Sequence, residues 1–149
     1  LIRRVLHTEP ARMERLWRMS AMGGAISGAI GLQGHYANGL AALYLATGQD
    51  VACVAESAIG VTRMEMRDGG RLFASVTLPG VMVGTVGGGT QLPSQSAALN
   101  IVGLKGAGGA RALAELCAAL CLAGELSISG ALCAGEFASA HKRLARART

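Results

Sequence analysis

The feature that most constrains this chain is an apolar pattern of helical period running almost unbroken from Ala110 to Arg146. Leu113, Leu116, Cys117, Leu120, Leu122, Leu126, Ile128, Leu132 and Phe137 recur so densely within it that a helix here must be buried on most of its surface. By length Ala112 to Ala134 could cross a bilayer, yet Glu115 and Glu125 sit inside it, and a carboxylate at mid-membrane costs about 3 kcal/mol. The pattern therefore predicts a core helix, or a helix pair broken at Gly124 or Gly130, and no membrane span. Neighbours of such a helix must be small. The chain holds 22 glycines against three prolines and is only 3% aromatic, which suits helices whose backbones approach closely and turns built on glycine.

The remaining elements follow from local signals. Leu1 to about Met19 reads as two short helices separated by Thr8-Glu9-Pro10, with the proline in a first turn. The run from Gly23 to Gly31 fits either a close-packed helix or a glycine loop. Ala37 to Thr47 is a helix apolar on nearly every face and capped by Gly48, so Gln49 and Asp50 are expected to emerge from the core. Val61–Arg67 and Arg71–Leu78 flank Asp68-Gly69-Gly70 as a hairpin, Val81–Val83 is a third short strand, and Pro93 opens a helix to about Val102. The fold class is α+β, helix-rich with a small antiparallel sheet. At 149 residues, 51% of them hydrophobic, the chain can bury a sizeable core.

The net charge is +5, and much of the basic excess sits at the ends, as Arg3, Arg4, Arg12, Arg15 and Arg18, then Lys142, Arg143, Arg146 and Arg148. Phosphate-bearing ligands suit this charge. Nucleic acid suits it less, because no stacking aromatics interleave with the basic ends. The four cysteines form no CxxC pair, and no histidine stands at ligand spacing, so no metal site is expected. Cys117 and Cys121, one helical turn apart, read as buried thiols of a reduced, cytoplasmic protein. Leu1 stands where a complete chain would have Met, and the opening lacks the n-region and cleavage site of a signal peptide. A piece of a longer chain is expected.

Four segments, in order, carry a family resemblance. They are Gly34-His35-Tyr36-Ala37-Asn38 leading to Ala46-Thr47-Gly48-Gln49-Asp50; Val83-Gly84-Thr85-Val86-Gly87-Gly88-Gly89-Thr90 with Leu92-Pro93-Ser94-Gln95; Leu122-Ala123-Gly124-Glu125-Leu126-Ser127; and Ala131-Leu132-Cys133-Ala134-Gly135-Glu136-Phe137 to Ala140-His141. A glycine run alone marks little more than a turn. Together the four resemble the C-terminal part of the large catalytic domain of class I 3-hydroxy-3-methylglutaryl-CoA (HMG-CoA) reductases, with a tail closest to archaeal and bacterial members. The resemblance spans residues 1–149; it leaves the NADPH-binding small domain outside the chain and places the catalytic Lys and Glu upstream of Leu1.

The resemblance implies a reaction in which two NADPH molecules each deliver a hydride, taking HMG-CoA through mevaldehyde to mevalonate and releasing CoA, at an active site on the interface of a homo-oligomer. It implies that Asp50 anchors the catalytic Lys as a buried carboxylate and that His141 protonates the departing thiolate, a task suited to a group titrating near neutrality. His35, Asn38 and Ile128 would line the acyl site, Asn38 bonding the substrate hydroxyl or carboxylate. Arg146 would hold an NADPH phosphate. Gly87, Gly88 and Gly89 would bring backbone amides near the nicotinamide or a partner subunit, since no phosphate-loop lysine or GxGxxG accompanies them.

Departures from the family are also visible. The only lysines are Lys105 and Lys142, and the position of a further substrate-binding Lys falls at Met19, or at Arg18 or Ser20 with a small gap. Val51-Ala52-Cys53-Val54 replaces Pro-Ala-Gln-Asn, Ala145 replaces an Asn, and Ser139-Ala140 stands where a polar pair is usual. The alternative reading is an inactive homologue that keeps the dimerising helical scaffold.

Overall fold

A computed structural model describes residues 1–30 and 32–145. The chain is α+β, as expected. A single turn, α1 (Ile2–Val5), precedes α2 (Pro10–Ser27) and α3 (Tyr36–Thr47). A 3-10 turn at Val51–Cys53 then leads into α4 (Val54–Ser57) and the hairpin β1 (Val61–Arg67) and β2 (Arg71–Thr77). Last come α5 (Pro93–Ile101), α6 (Ala110–Ala134) and α7 (Phe137–Ala145). The strands pair antiparallel from Val61 opposite Thr77 to Arg67 opposite Arg71, around the Asp68-Gly69-Gly70 turn.

Three expectations need correction. First, α2 does not stop near Met19 but absorbs Gly23 and Gly24 and ends at Gly28. Helix can pass through Gly24 because the returning Leu32 side chain fills the space a Cβ would take. Second, α6 is one helix, broken at neither Gly124 nor Gly130. An interior glycine costs roughly 1 kcal/mol of helix propensity, but here each glycine seats a neighbour: a Cβ on Gly124 would collide with the His35 ring, and one on Gly130 would meet Leu6 Cβ at 2.8 Å. Third, Val81–Val83 forms no strand. Its backbone is held by side chains, Met82 N donating to Ser57 Oγ at 3.3 Å and Gly84 N to Gln49 Oε1 at 2.8 Å, so the sheet stays two-stranded.

Helix α6 is long and apolar enough to cross a membrane by length and composition, yet α2, α3, β2 and α7 all pack on it. On one side Tyr36, Leu40 and Tyr44 of α3 enclose Cys117 and Cys121. On the other, Met13 of α2 and Met64 of β1 meet Cys133. Burial pushes the Cys117 thiol up to about 11 and Cys121 to about 12, so both stand as protonated core side chains.

Within this apolar setting lies Glu125, 6% exposed. Its Oε1 accepts the main-chain N–H of His35 at 2.7 Å and its Oε2 accepts the Thr62 hydroxyl at 3.3 Å. Having spent its proton on Glu125, Thr62 Oγ1 accepts from the Tyr36 hydroxyl at 2.9 Å. Burial raises the Glu125 pKa, and the bonds from His35 and Thr62 only partly oppose that. The folded value thus exceeds that of the unfolded chain, about 4.3. Stability contributed by this group is greatest below about pH 4.3 and is lost as pH rises through the raised folded value. In urea unfolding, the parent should lose stability relative to Glu125→Gln over that window, by ~1.4 kcal/mol per pH unit within it; a relative gain would mean that the fold favours the ionised carboxylate.

Candidate functional site

Helix α3 has candidate site residues at both of its ends. At its N-terminal end, α3, α6 and α7 enclose a groove of about 700 Å³ whose walls include His35, Asn38, Ile128 and His141. Four residues that the sequence singled out thus meet in one place. The His35 imidazole is wedged between two helices at glycines: a Cβ on Gly39 would stand 2.5 Å from its Cε1, and Gly124 leaves the space on the other side. Its Nδ1 is buried and has no partner among the described residues. An unprotonated Nδ1 is the cheaper occupant of such a position, which puts the proton on Nε2. Ile128 packs against Gly34, where a Cβ would come within 3.0 Å of its Cδ1, while Asn38 is exposed.

His141 projects from α7 and is exposed. Its Nδ1 lies 2.9 Å from the Phe137 carbonyl, and its ring rests against the Phe137 ring at 4.3 Å between centroids. A carbonyl can only accept, so Nδ1 carries a proton and Nε2 is the nitrogen free to take up or release one. Ring contact and hydrogen bond together hold the imidazole along one edge of the groove.

At the C-terminal end of α3 the glycine loop is docked. Gln49 grips Gly84 from both sides, its Oε1 accepting from Gly84 N at 2.8 Å and its Nε2 donating to Gly84 O at 2.9 Å. Gly89 lies against Gly48, the left-handed cap of α3; a Cβ on Gly89 would be 2.8 Å from Gly48 O. Backbone packing accounts for Gly89. Gly87 and Gly88 differ: both have positive φ, 77° and 52°, both are exposed, and an added Cβ at either would meet nothing within 4 Å. The space beside their backbone is open to an incoming group.

Asp50 departs from expectation. It is exposed rather than rising from the core, and its Oδ1 caps the following 3-10 turn by accepting from Ala52 N at 3.0 Å. The reason is that Gly48 ends α3 at the rim of the fold, where Gln49 turns inward and Asp50 outward. Arg146 lies outside the described residues. The two clusters are also separate: the twelve residues of α3 put roughly 18 Å of helix between His35 and Asp50. Gln49 and Glu125 were not singled out by sequence as site residues, although Glu125 was conspicuous as a carboxylate in an apolar run.

The sequence model of the hydroxymethylglutaryl-coenzyme A reductase family matches residues 1–146. Among curated relatives, the 3-hydroxy-3-methylglutaryl-coenzyme A reductase of Methanothermobacter thermautotrophicus is 46% identical over 147 residues, covering 98% of this chain and 37% of the relative. That of Methanocaldococcus jannaschii is 48% identical over 125 residues, covering 84% and 31%. Reductase 1 of Solanum tuberosum is 45% identical over 155 residues, covering 98% and 26%. The chain therefore spans about a third of the length of these relatives.

The seating of His35 is open to a direct check. Gly124→Ala should cost about 1–3 kcal/mol by overpacking against the imidazole, whereas Gly23→Ala, with nothing within 4 Å of the added Cβ, should gain up to about 1 kcal/mol of helix propensity. Urea midpoints measure both. A Gly124→Ala variant as stable as the parent would show that the ring does not occupy this seat.

Proposed function

Because the chain belongs to the hydroxymethylglutaryl-coenzyme A reductase family, we propose that it is part of an NADPH-dependent reductase of class I type that converts HMG-CoA to mevalonate and CoA. The observation that carries this reading is the groove in which His35, Asn38, Ile128 and His141 meet. It offers an apolar wall for the methyl-bearing acyl chain, the Asn38 amide for its hydroxyl or carboxylate, and a histidine with a free Nε2 at its edge.

The nicotinamide cofactor supplies the hydrides when bound. The open space beside the backbone of Gly87 and Gly88 fits a flat ring approaching closely, and Gln49 and Gly48 hold that loop in place. His141 holds a proton on Nε2 and gives it to the sulfur of CoA as the carbon–sulfur bond breaks, so the leaving group departs as a neutral thiol. Asp50, outward-facing at the end of α3, holds the catalytic lysine ammonium, and Arg146 takes a cofactor phosphate.

With its two clusters roughly 18 Å apart along α3, the active site is completed by a second copy, the acyl groove of one facing Asp50 of the other. Exposed Met19, Met22, Ile26 and Ile30 on and beside α2 are in keeping with an assembly that covers apolar surface. Buried free thiols at Cys117 and Cys121 suit a reducing, cytoplasmic setting. One observation favours the alternative of an inactive homologue: Val51-Ala52-Cys53-Val54 follows Asp50 directly, where the family has Pro-Ala-Gln-Asn.

NADPH oxidation by the full-length protein with HMG-CoA tests the proposal. His141→Ala and Asp50→Ala should each lower kcat by roughly 100-fold or more. Unaltered turnover in both would remove the assigned roles, and no turnover by the parent would favour the inactive scaffold.

A further inference from the structure

Glu125 is hard to explain as a stabilising residue. Burial disfavours its charge, no described Lys, Arg or His forms a salt bridge with it, and an apolar side chain of similar size would serve the packing of α6 at least as well. Its contacts show what it does instead. Oε1 takes the His35 N–H at 2.7 Å, a short, charge-assisted bond, and His35 is the residue from which α3 starts. The adjacent Gly124 opens the space that its imidazole fills. A single turn of α6 thereby fixes both the main chain and the ring of His35, while Thr62 on β1, itself backed by Tyr36, holds the second carboxylate oxygen.

We propose that Glu125 is a positioning residue of the acyl groove, its ionised carboxylate anchoring the His35 main chain so that the imidazole stands at a set place in the groove wall. This assignment rests on the reading of the groove as the acyl site of a reductase. The titratable groups facing Glu125 are His35 and Tyr36 at the start of α3 and Cys121 one turn earlier on α6. Tyr36 and Cys121 are both pushed up to about 12 by burial and stay neutral, and the β1 neighbour, Thr62, does not titrate. Protonation of Glu125 relieves the cost of burying its charge, so the fold gains, but it weakens the bond that holds the His35 main chain as pH falls.

The test uses the full-length protein labelled with 15N-histidine, together with Glu125→Gln and Glu125→Leu. In the parent, the His35 amide should follow an acid titration step, distinct from any of its own ring, that is absent from both variants, and KM for HMG-CoA should rise as pH falls through the raised Glu125 value. Glu125→Leu should raise KM by on the order of tenfold with little change in kcat. Glu125→Gln, which keeps an oxygen acceptor, should recover most of that loss and show a KM flat across the same pH range. A His35 amide that does not titrate in the parent, or a KM with the same pH dependence in parent and Gln variant, overturns the proposal, and both readings survive a Leu variant that fails to fold. The amide titration needs no substrate, so a parent that does not reduce HMG-CoA would sink the reductase reading while leaving the anchoring of His35 to be decided by the titration.

Discussion

The bond from the His35 amide to the Glu125 carboxylate is the interaction on which the rest of the structure turns. It joins the start of α3 to the middle of α6, and through Thr62 and Tyr36 the same carboxylate reaches β1 and the core. The His35 amide, both Glu125 oxygens and the Thr62 and Tyr36 hydroxyls are all paired in that chain, so three elements are tied at one buried point. Leu32 against Gly24, Gln33 bonded to Gly60 O and Gly34 against Ile128 hold the segment before α3. With the bond to Glu125, α3 begins at a set place against α6, and everything that α3 carries at its two ends is placed in turn.

Small residues make that closeness possible. The His35 ring fits only because Gly39 and Gly124 present no side chain, and the glycine loop docks on α3 only because Gly48 and Gly89 meet backbone to backbone. Glycine at these positions lowers helix propensity and costs chain entropy. The compensation is local: an aromatic ring or a loop takes the place of a methyl group. In a chain with 3% aromatic residues, these backbone approaches stand beside a core whose largest members are Tyr36, Tyr44 and Met13.

Signals confined to neighbouring residues were legible in the sequence. Gly48 as the end of α3, Pro10 and Pro93 in first turns, and the Asp68-Gly69-Gly70 hairpin all depend on backbone chemistry within a few positions. Signals that depend on distant partners were not. Val81–Val83 has the composition of a strand, but the Met82 amide is claimed by Ser57 and that of Gly84, just beyond it, by Gln49, which only the fold brings near. Gly124 and Gly130 resemble helix breaks until His35 and Leu6 arrive to fill them. The resemblance grouped His35, Asn38 and Ile128 and gave His141 a separate task, and it is the packing of α7 on α6 that brings His141 to the same groove, whereas Asp50 was expected in the core because helix apolarity says nothing of which way the residues beyond a cap will turn. The separation of the two clusters could have been read from the start, since twelve helical residues between His35 and Gly48 fix it.

That separation has the most direct consequence for the proposed function: if His141 and Asp50 act on one substrate, they come from different copies. Mixing full-length Asp50→Ala and His141→Ala chains, with exchange of subunits, tests this. In a mixed dimer one site carries both substitutions and the other neither, so NADPH oxidation with HMG-CoA should return to about a quarter of the parent level at equal mixing. A mixture no more active than either variant alone, with subunit exchange demonstrated, would contradict an active site shared between copies.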